Sequence, residues 1–311
     1  MAPAEDDISI EEKRVYAGSA GRTDAYVATE SGVVRVALSA DKVGAFDMVA
    51  RDPARGAAVL PRRAAPDLLG VATDDGLLVA PVGDDIAFEP VEVGPAPAVA
   101  VGVHDGAFLV AGDDGEIDRI AIGSDATAGD ATADDATADD ATATRIGSVP
   151  DPRAIDGPLV AAADGVHRVN EGDAAESGPS LVSVGLDDAR DVAGSGMPLA
   201  ATADGLYWLG NGWMPAREGD AEAVAADGDG HAMAVVDGDL FVHESDGEWG
   251  TEAWNAAELP VDEEPVALGY GPGVSVAVTD AGTLCVDAGD GWRHQVVGVR
   301  GVAGVALAVV E

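Results

Sequence analysis

Seven copies of one short pattern, a period near forty residues and the lack of any long helical periodicity predict an all-β chain. The expected fold is a seven-bladed β-propeller of four-stranded antiparallel blades. Each copy is a run of small apolar and β-branched residues, a tight turn containing Gly, and a second apolar run. "DAYVATESGVVRVAL" begins at Asp24, "LLGVATDDGLLVAPV" at Leu68 and "GAFLVAGDDGEIDRIAI" at Gly106. "PLVAAADGVHRV" follows at Pro158, "PLAATADGLYWL" at Pro198, "HAMAVVDGDLFVH" at His231 and "VSVAVTDAGTLCV" at Val274.

The middle two strands of each blade come first. Asp-Gly between apolar runs marks a hairpin, because Gly accepts the positive φ that tight hairpin turns demand. The turn glycines are Gly32, Gly76, Gly115, Gly165, Gly205, Gly238 and Gly282, at intervals of 44, 39, 50, 40, 33 and 44 residues. Before each hairpin a run of small residues, as in "ARDVAGSG", "AEAVAADGDG", "EPVALGYGPG" and "VRGVAGVAL", suits an innermost strand crowded round an axis. After the hairpin a second turn leads to an outer strand that often opens with an aromatic: Phe46, Phe88, Trp213, Trp249 and Trp292. Recurrence at equivalent places reads these rings as seals between neighbouring blades. Trp208 and Trp254 fall outside that pattern and are the aromatic candidates for a binding surface. "TEAWNAAEL" from Thr251 reads as one or two helical turns within a loop.

Inner-strand candidates stand at both ends, "KRVYAG" near Lys13 and "VRGVAGVALAVVE" at the C-terminus. The ends are expected to meet in one blade, which removes the open edge that invites aggregation. The resulting division is an acidic tail over 1–11 and a single propeller domain over 12–311. The long interval from Gly115 to Gly165 contains "SDATAGDATADDATADDATAT", residues 124–144, with six Asp and no basic residue. Nothing in it exceeds Thr in size, so it buries too little to offset ordering and is expected as a disordered acidic insert.

The seven repeats resemble the blades of quinoprotein-like and YVTN/WD40-like propellers. Taken with the acidic composition, the chain resembles a haloarchaeal family of seven-bladed propellers over roughly residues 12–311. The resemblance implies the fold and carries no activity with it. The Gly-x-x-x-Trp docking pattern of true quinoproteins does not repeat, and the Gly-His and Trp-Asp dipeptides of regular WD40 blades are missing.

The charge balance is extreme: 57 Asp plus Glu face 17 Lys plus Arg, a formal net charge of −40, and only Lys13 and Lys42 are lysines. Such a chain repels itself in dilute salt; at molar salt the Debye length falls to roughly 3 Å and the repulsion is screened. Acidity with scarce Lys and abundant Ala, Gly, Val and Asp is the composition of a halophilic archaeal protein. A phosphate backbone needs a basic face, so nucleic acid is not an expected partner, nor is an anionic membrane. The N-terminal "MAPAEDDISIEEKR" lacks the apolar core of a secretory signal. "GVALAVV" is far short of the ~20 residues of a spanning helix. The expectation is a cytoplasmic monomer.

Candidates for chemistry are few. Cys285, the sole cysteine, sits in the strand-like "TLCVDAG" and reads as a small core residue. His104, His167, His231, His243 and His294 occupy different blade positions, without zinc-like spacing. "DGDG" at Asp227 and "DDGE" at Asp113 place carboxylates near turns. They leave a divalent cation conceivable, but turn chemistry is the plainer reading. No metal site and no cofactor is expected. The least expected feature is "RDPARGAAVLPRRAAPD", where Arg51, Arg55, Arg62 and Arg63 gather in an acidic chain. By blade counting this connector lies on the face of the Asp-Gly turns. There it would grip a carboxylate, a phosphate or an acidic partner, unless its arginines pair with the protein's own acids. The functional expectation is a non-catalytic scaffold or protein-interaction module whose partner is another protein. The alternatives are a metal-dependent hydrolase or lactonase-like enzyme and a small-ligand-binding propeller.

Overall fold

Short apolar runs joined by glycine turns pair antiparallel, and the computed structural model shows seven such sheets, each of four strands. It describes residues 22–63, 65–123, 138–172, 178–244 and 247–310. The closing blade runs, from the axis outward, Val302–Val310, Arg22–Thr29, Gly32–Ser39 and Lys42–Ala50. The C-terminal strand therefore supplies the innermost position of blade one, and the two ends of the described chain meet in one sheet. The alternative, "KRVYAG", lies outside the described residues, as does the tail over 1–11.

The other six blades follow in chain order, each with its first strand innermost: Ala54–Leu60, Ala98–His104, Pro152–Asp156, Ala189–Ala193, Ala221–Ala226 and Pro265–Gly271. These are the small-residue runs of the sequence. All seven turn glycines stand at the turn from the second to the third strand of their blades, Gly32, Gly76, Gly165 and Gly205 as the first residue of the third strand. Gly32 shows why Gly is required: its φ is +129°, and a Cβ there would stand 2.0 Å from the carbonyl oxygen of Ala50. A hydroxyl recurs beside these turns. Thr29, Thr73 and Thr202 each end the second strand and donate to the carbonyl of the turn glycine at 2.8, 2.8 and 3.0 Å.

The core lies between blades. Apolar clusters fill the interfaces of blades one and two, two and three, three and four, four and five, five and six, and seven and one. Phe88 and Trp213 act as the expected seals. Phe88 packs on the cluster of blades one and two, while Trp213 donates its indole N–H to the Val184 carbonyl of blade four at 2.9 Å. Phe46 does not, since it is 43% exposed on the outer strand of blade one.

Two further segments are placed by the structure. The "TEAWNAAEL" segment forms a single 3-10 turn, Thr251–Ala253, followed at once by the outer strand of blade six, Trp254–Ala256. The insert over 124–144 is not one disordered loop. Residues 124–137 lie outside the description, but Ala138–Asp140 form a 3-10 turn and Thr142–Ser148 is the outer strand of blade three. Ala138 packs into the core cluster of blades two and three, and Arg145 on that strand pairs with Asp118 and Glu116.

Candidate functional site

The seven innermost strands share one irregularity. In six of them the pairing register shifts at the second residue, so that Arg55, Val99, Arg153, Arg190, Glu222 and Val266 oppose no partner. In blade one Ala28 pairs with Gly304 and Thr29 with Val302, which skips Ala303. A β-bulge frees one residue from the ladder and re-aims its side chain. Because the bulges are equivalent, they set a ring of side chains at one mouth of the central channel, on the face that carries the glycine turns. All of these residues except Val99 line the channel, whose volume is about 540 Å³.

Three of the seven ring positions are arginine. Arg153 pairs with Asp188 at 2.6 Å and Asp151 at 3.3 Å. Arg190 reaches Asp220 at 2.5 Å, with Glu222 at 3.9 Å. Arg55 pairs with Asp74 at 2.5 Å. Each guanidinium is thus held upright by an acid of a rim loop. Glu222 is shifted upward from the usual carboxylate range, first by burial and then by the charges of Glu264 and Asp220. The rim over blades four to six is therefore dense in both signs of charge, while blades seven and one contribute Val266 and Ala303 and Val99 of blade three packs on the cluster of blades three and four.

Further in, two carboxylates belong to the wall. Asp156 accepts the Gly194 amide of the next blade at 2.6 Å, and Asp191 accepts the Val224 amide of blade six at 2.9 Å. Asp191 also accepts the amide of Val192 at 2.9 Å. Burial is the main reason its pKa is pushed up to about 7, with the two amides opposing the shift and Asp156 adding to it. Asp156 is raised in the same direction, again chiefly by burial. Apart from Ser195, Asp227 and Tyr270, the remaining channel wall is Gly, Ala, Val, Leu and Ile.

The arginine segment read from the sequence is not one cluster. Arg51 and Arg55 stand at the start of the innermost strand of blade two, on the face of the glycine turns. Arg62 and Arg63 follow that strand on the opposite face. A seven-residue strand separates the two pairs by roughly 20 Å. Only Arg55 lines the channel. Arg62 donates to the Pro66 carbonyl at 2.6 Å, and burial lowers its pKa. Trp254 is not a surface residue: it is 4% exposed, beside Trp249 and His243. Trp208 is half-buried against the cluster of blades five and six.

The histidines do not converge. His104 meets Glu171 at 3.0 Å, His167 meets Asp164 at 2.9 Å and His231 meets Asp227 at 2.6 Å. His243 is fully buried and stacks on Trp249, with ring centroids 3.8 Å apart. Among the described residues no three of His, Cys, Asp or Glu are grouped as metal ligands. The carboxylates of the two acidic turns serve their own loops, Asp227 accepting the Asp229 amide at 2.7 Å and Asp114 that of Glu116 at 3.0 Å. Cys285 is fully buried, and burial pushes its thiol up to about 12. The channel-lining arginines that the sequence reading does not single out are Arg153 and Arg190. Their signal was present, since both follow the first small residue of an inner-strand run, the place where Arg55 also stands.

Comparison with known proteins bears on fold and family. The family model described as HVO_0234-like beta propeller matches residues 9–308. No curated protein matches the chain. Among solved structures, YCF48 bound to D1 peptide is similar with a TM-score of 0.55 at 14% identity, over 93% of this chain and 97% of that one. AztD from Citrobacter koseri has a TM-score of 0.53 at 14% identity, over 90% of this chain and 83% of that one. The computationally designed Ika8 protein has a TM-score of 0.54 at 16% identity, over 91% of each chain. At these identities the likeness is one of fold.

Proposed function

Since the chain belongs to the HVO_0234-like beta-propeller family, we propose that it acts as a non-catalytic interaction module of a high-salt cell. The arginine-bearing mouth of the channel is its docking site for another protein. The observation that supports this reading is the bulge ring. Equivalent distortions in seven strands aim Arg55, Arg153 and Arg190 at one opening, in a chain with a net charge of −40. Arg presents a fixed fork of donors that suits carboxylates and backbone carbonyls of a partner. Its present ion pairs are surface pairs, worth little in concentrated salt, so a partner exchanges with them at small cost. YCF48, of similar fold, is bound to a peptide in its structure, so propellers of this shape can hold one.

The test is recovery of partners by the tagged chain in molar KCl. The Arg153→Gln/Arg190→Gln double variant is compared with Arg62→Gln/Arg63→Gln, which alters the opposite face. The mouth variant is expected to lose a protein that both the wild type and the opposite-face variant retain. Equal recovery by all three, or no reproducible partner for the wild type, refutes the reading.

A further inference from the structure

The seam between blades six and seven is built unlike the others. There the packing opens into a cleft of about 510 Å³ on the face away from the arginine ring. Its depth is set by Met233, fully buried, and its walls by Val242 and Val274. Trp292, half-buried, and Tyr270 add aromatic surface. Asp227 and Tyr270 line both this cleft and the central channel, so the two spaces meet.

The polar groups of the cleft have defined roles. Asp227 accepts the amides of Asp229 and His231 through one oxygen, at 2.7 and 3.0 Å, and its other oxygen meets His231 Nδ1 at 2.6 Å. Burial raises the Asp227 carboxyl, but these amides and the His231 ring outweigh it and hold the group below its usual range. An ionised carboxylate only accepts, so the proton of a neutral ring sits on Nδ1 and leaves Nε2 as an acceptor. Glu244, exposed at the rim, adds a negative charge beside the apolar walls. A thioether floor, an indole wall, an imidazole acceptor and a rim carboxylate form a set that favours a cation with N–H donors and an apolar body.

We propose that this cleft binds a small organic ammonium ion. Its apolar body packs on Met233, Val242 and Trp292, and its N–H groups donate to Glu244 and to His231 Nε2. This site is independent of the protein-docking reading, because the two lie at opposite ends of the channel. Diffuse attraction of any cation to the acidic chain disappears in molar salt, where screening acts within about 3 Å, whereas contact inside a walled cleft persists.

The experiment titrates benzylammonium chloride and neutral benzyl alcohol into the full chain in molar KCl by calorimetry, with histidine NMR alongside. Benzylammonium is expected to bind roughly tenfold more tightly than benzyl alcohol and to shift the His231 ring signals but not those of His294. Glu244→Gln is expected to reduce the preference for the charged compound, Asp227 and Asp287 keeping part of it, and Trp292→Leu to weaken both, at unchanged melting temperature. Equal affinity for the two compounds, no binding of benzylammonium, or an unchanged preference in Glu244→Gln overturns the proposal.

Discussion

The carboxylate of Asp191, on the innermost strand of blade five, accepts the amide of Val224 on blade six at 2.9 Å. One blade earlier, Asp156 does the same for Gly194 of blade five at 2.6 Å. An innermost strand has one edge paired within its sheet and one edge facing the channel, where amides lack strand partners. Aspartates of one blade satisfy that edge in the next, so blades four, five and six are fastened through the channel wall. Charged acceptors make such bonds strong, but the burial they require opposes ionisation.

A pH dependence follows from that opposition. The folded chain holds the Asp191 proton up to about pH 7, whereas the ordinary value for the residue is 3.8. The folded state binds the proton more tightly, so the contribution of this group to stability is greatest below the unfolded value. It is lost as the pH rises from about 4 to 7, and is flat above that. Asp191→Asn removes the titration while keeping one acceptor oxygen. Relative to the wild type, the variant is expected to gain stability across that window, by at most about 4 kcal/mol. Denaturation at several pH values in molar KCl checks this, and parallel pH profiles for the two chains count against it.

Gly70 on blade two faces Phe108 on blade three, and a Cβ at Gly70 would stand 2.5 Å from the ring. The backbone there is ordinary, so the constraint is purely one of space. Gly70→Ala is expected to cost about 1–3 kcal/mol by overpacking. Phe108→Leu, harmful alone through the void it leaves, should relieve part of that cost in the double variant. A double-mutant cycle measures the coupling; strictly additive losses would show that the two residues do not share the seam as described.

Much of the architecture was legible in the sequence because one unit recurs. The turn glycines, the small inner strands and the closure at blade one all rest on comparing copies, and comparison suppresses accidents of any single copy. The threonines of "ATESG", "ATDDG" and "ATADG" were equally visible, and their hydroxyl caps explain that recurrence. What failed had no repeated signal. Trp254 stands outside the aromatic pattern only if Trp249 opens the outer strand, which in fact begins at Trp254. The four arginines of 51–63 are neighbours in sequence but not in space, because the strand Ala54–Leu60 between them crosses the molecule. The bulges were hidden for another reason: a bulge depends on pairing with a second strand, and no single strand encodes it.

Arg35 shows how blade one is held to blade two. Its guanidinium donates to the carbonyls of Gly83 and Asp84 at 3.0 and 2.8 Å while pairing with Asp47 at 3.1 Å. Beside it, Arg22 bridges the buried Asp24 and Asp84 of blade two. Arg35→Ala is expected to cost about 2 kcal/mol, since it leaves two carbonyls and a carboxylate without their shared donor. Arg35→Lys should recover little, because a single ammonium cannot span three acceptors. Equilibrium unfolding of the three chains decides it, and full recovery by Lys would mean that only the charge matters.

The acidic insert yields the sharpest contrast between expectation and structure. Thr142 and Ala143 pair with Ala121 and Ile120, and Ala138 is 5% exposed in the core of blades two and three. Deleting residues 125–143 therefore removes a buried residue and the first two pairs of an outer strand. A loss of about 1 kcal/mol, or a melting temperature lower by roughly 3 °C, is expected. The five-residue period of the insert supplies a control. Deleting 133–137 joins Thr132 to Ala138 and leaves the sequence from Ala138 onward intact, so melting should not change. Calorimetric scans of both deletions in molar KCl test the pair of outcomes. An unchanged melting temperature for the long deletion would show that blade three does not need the start of its outer strand.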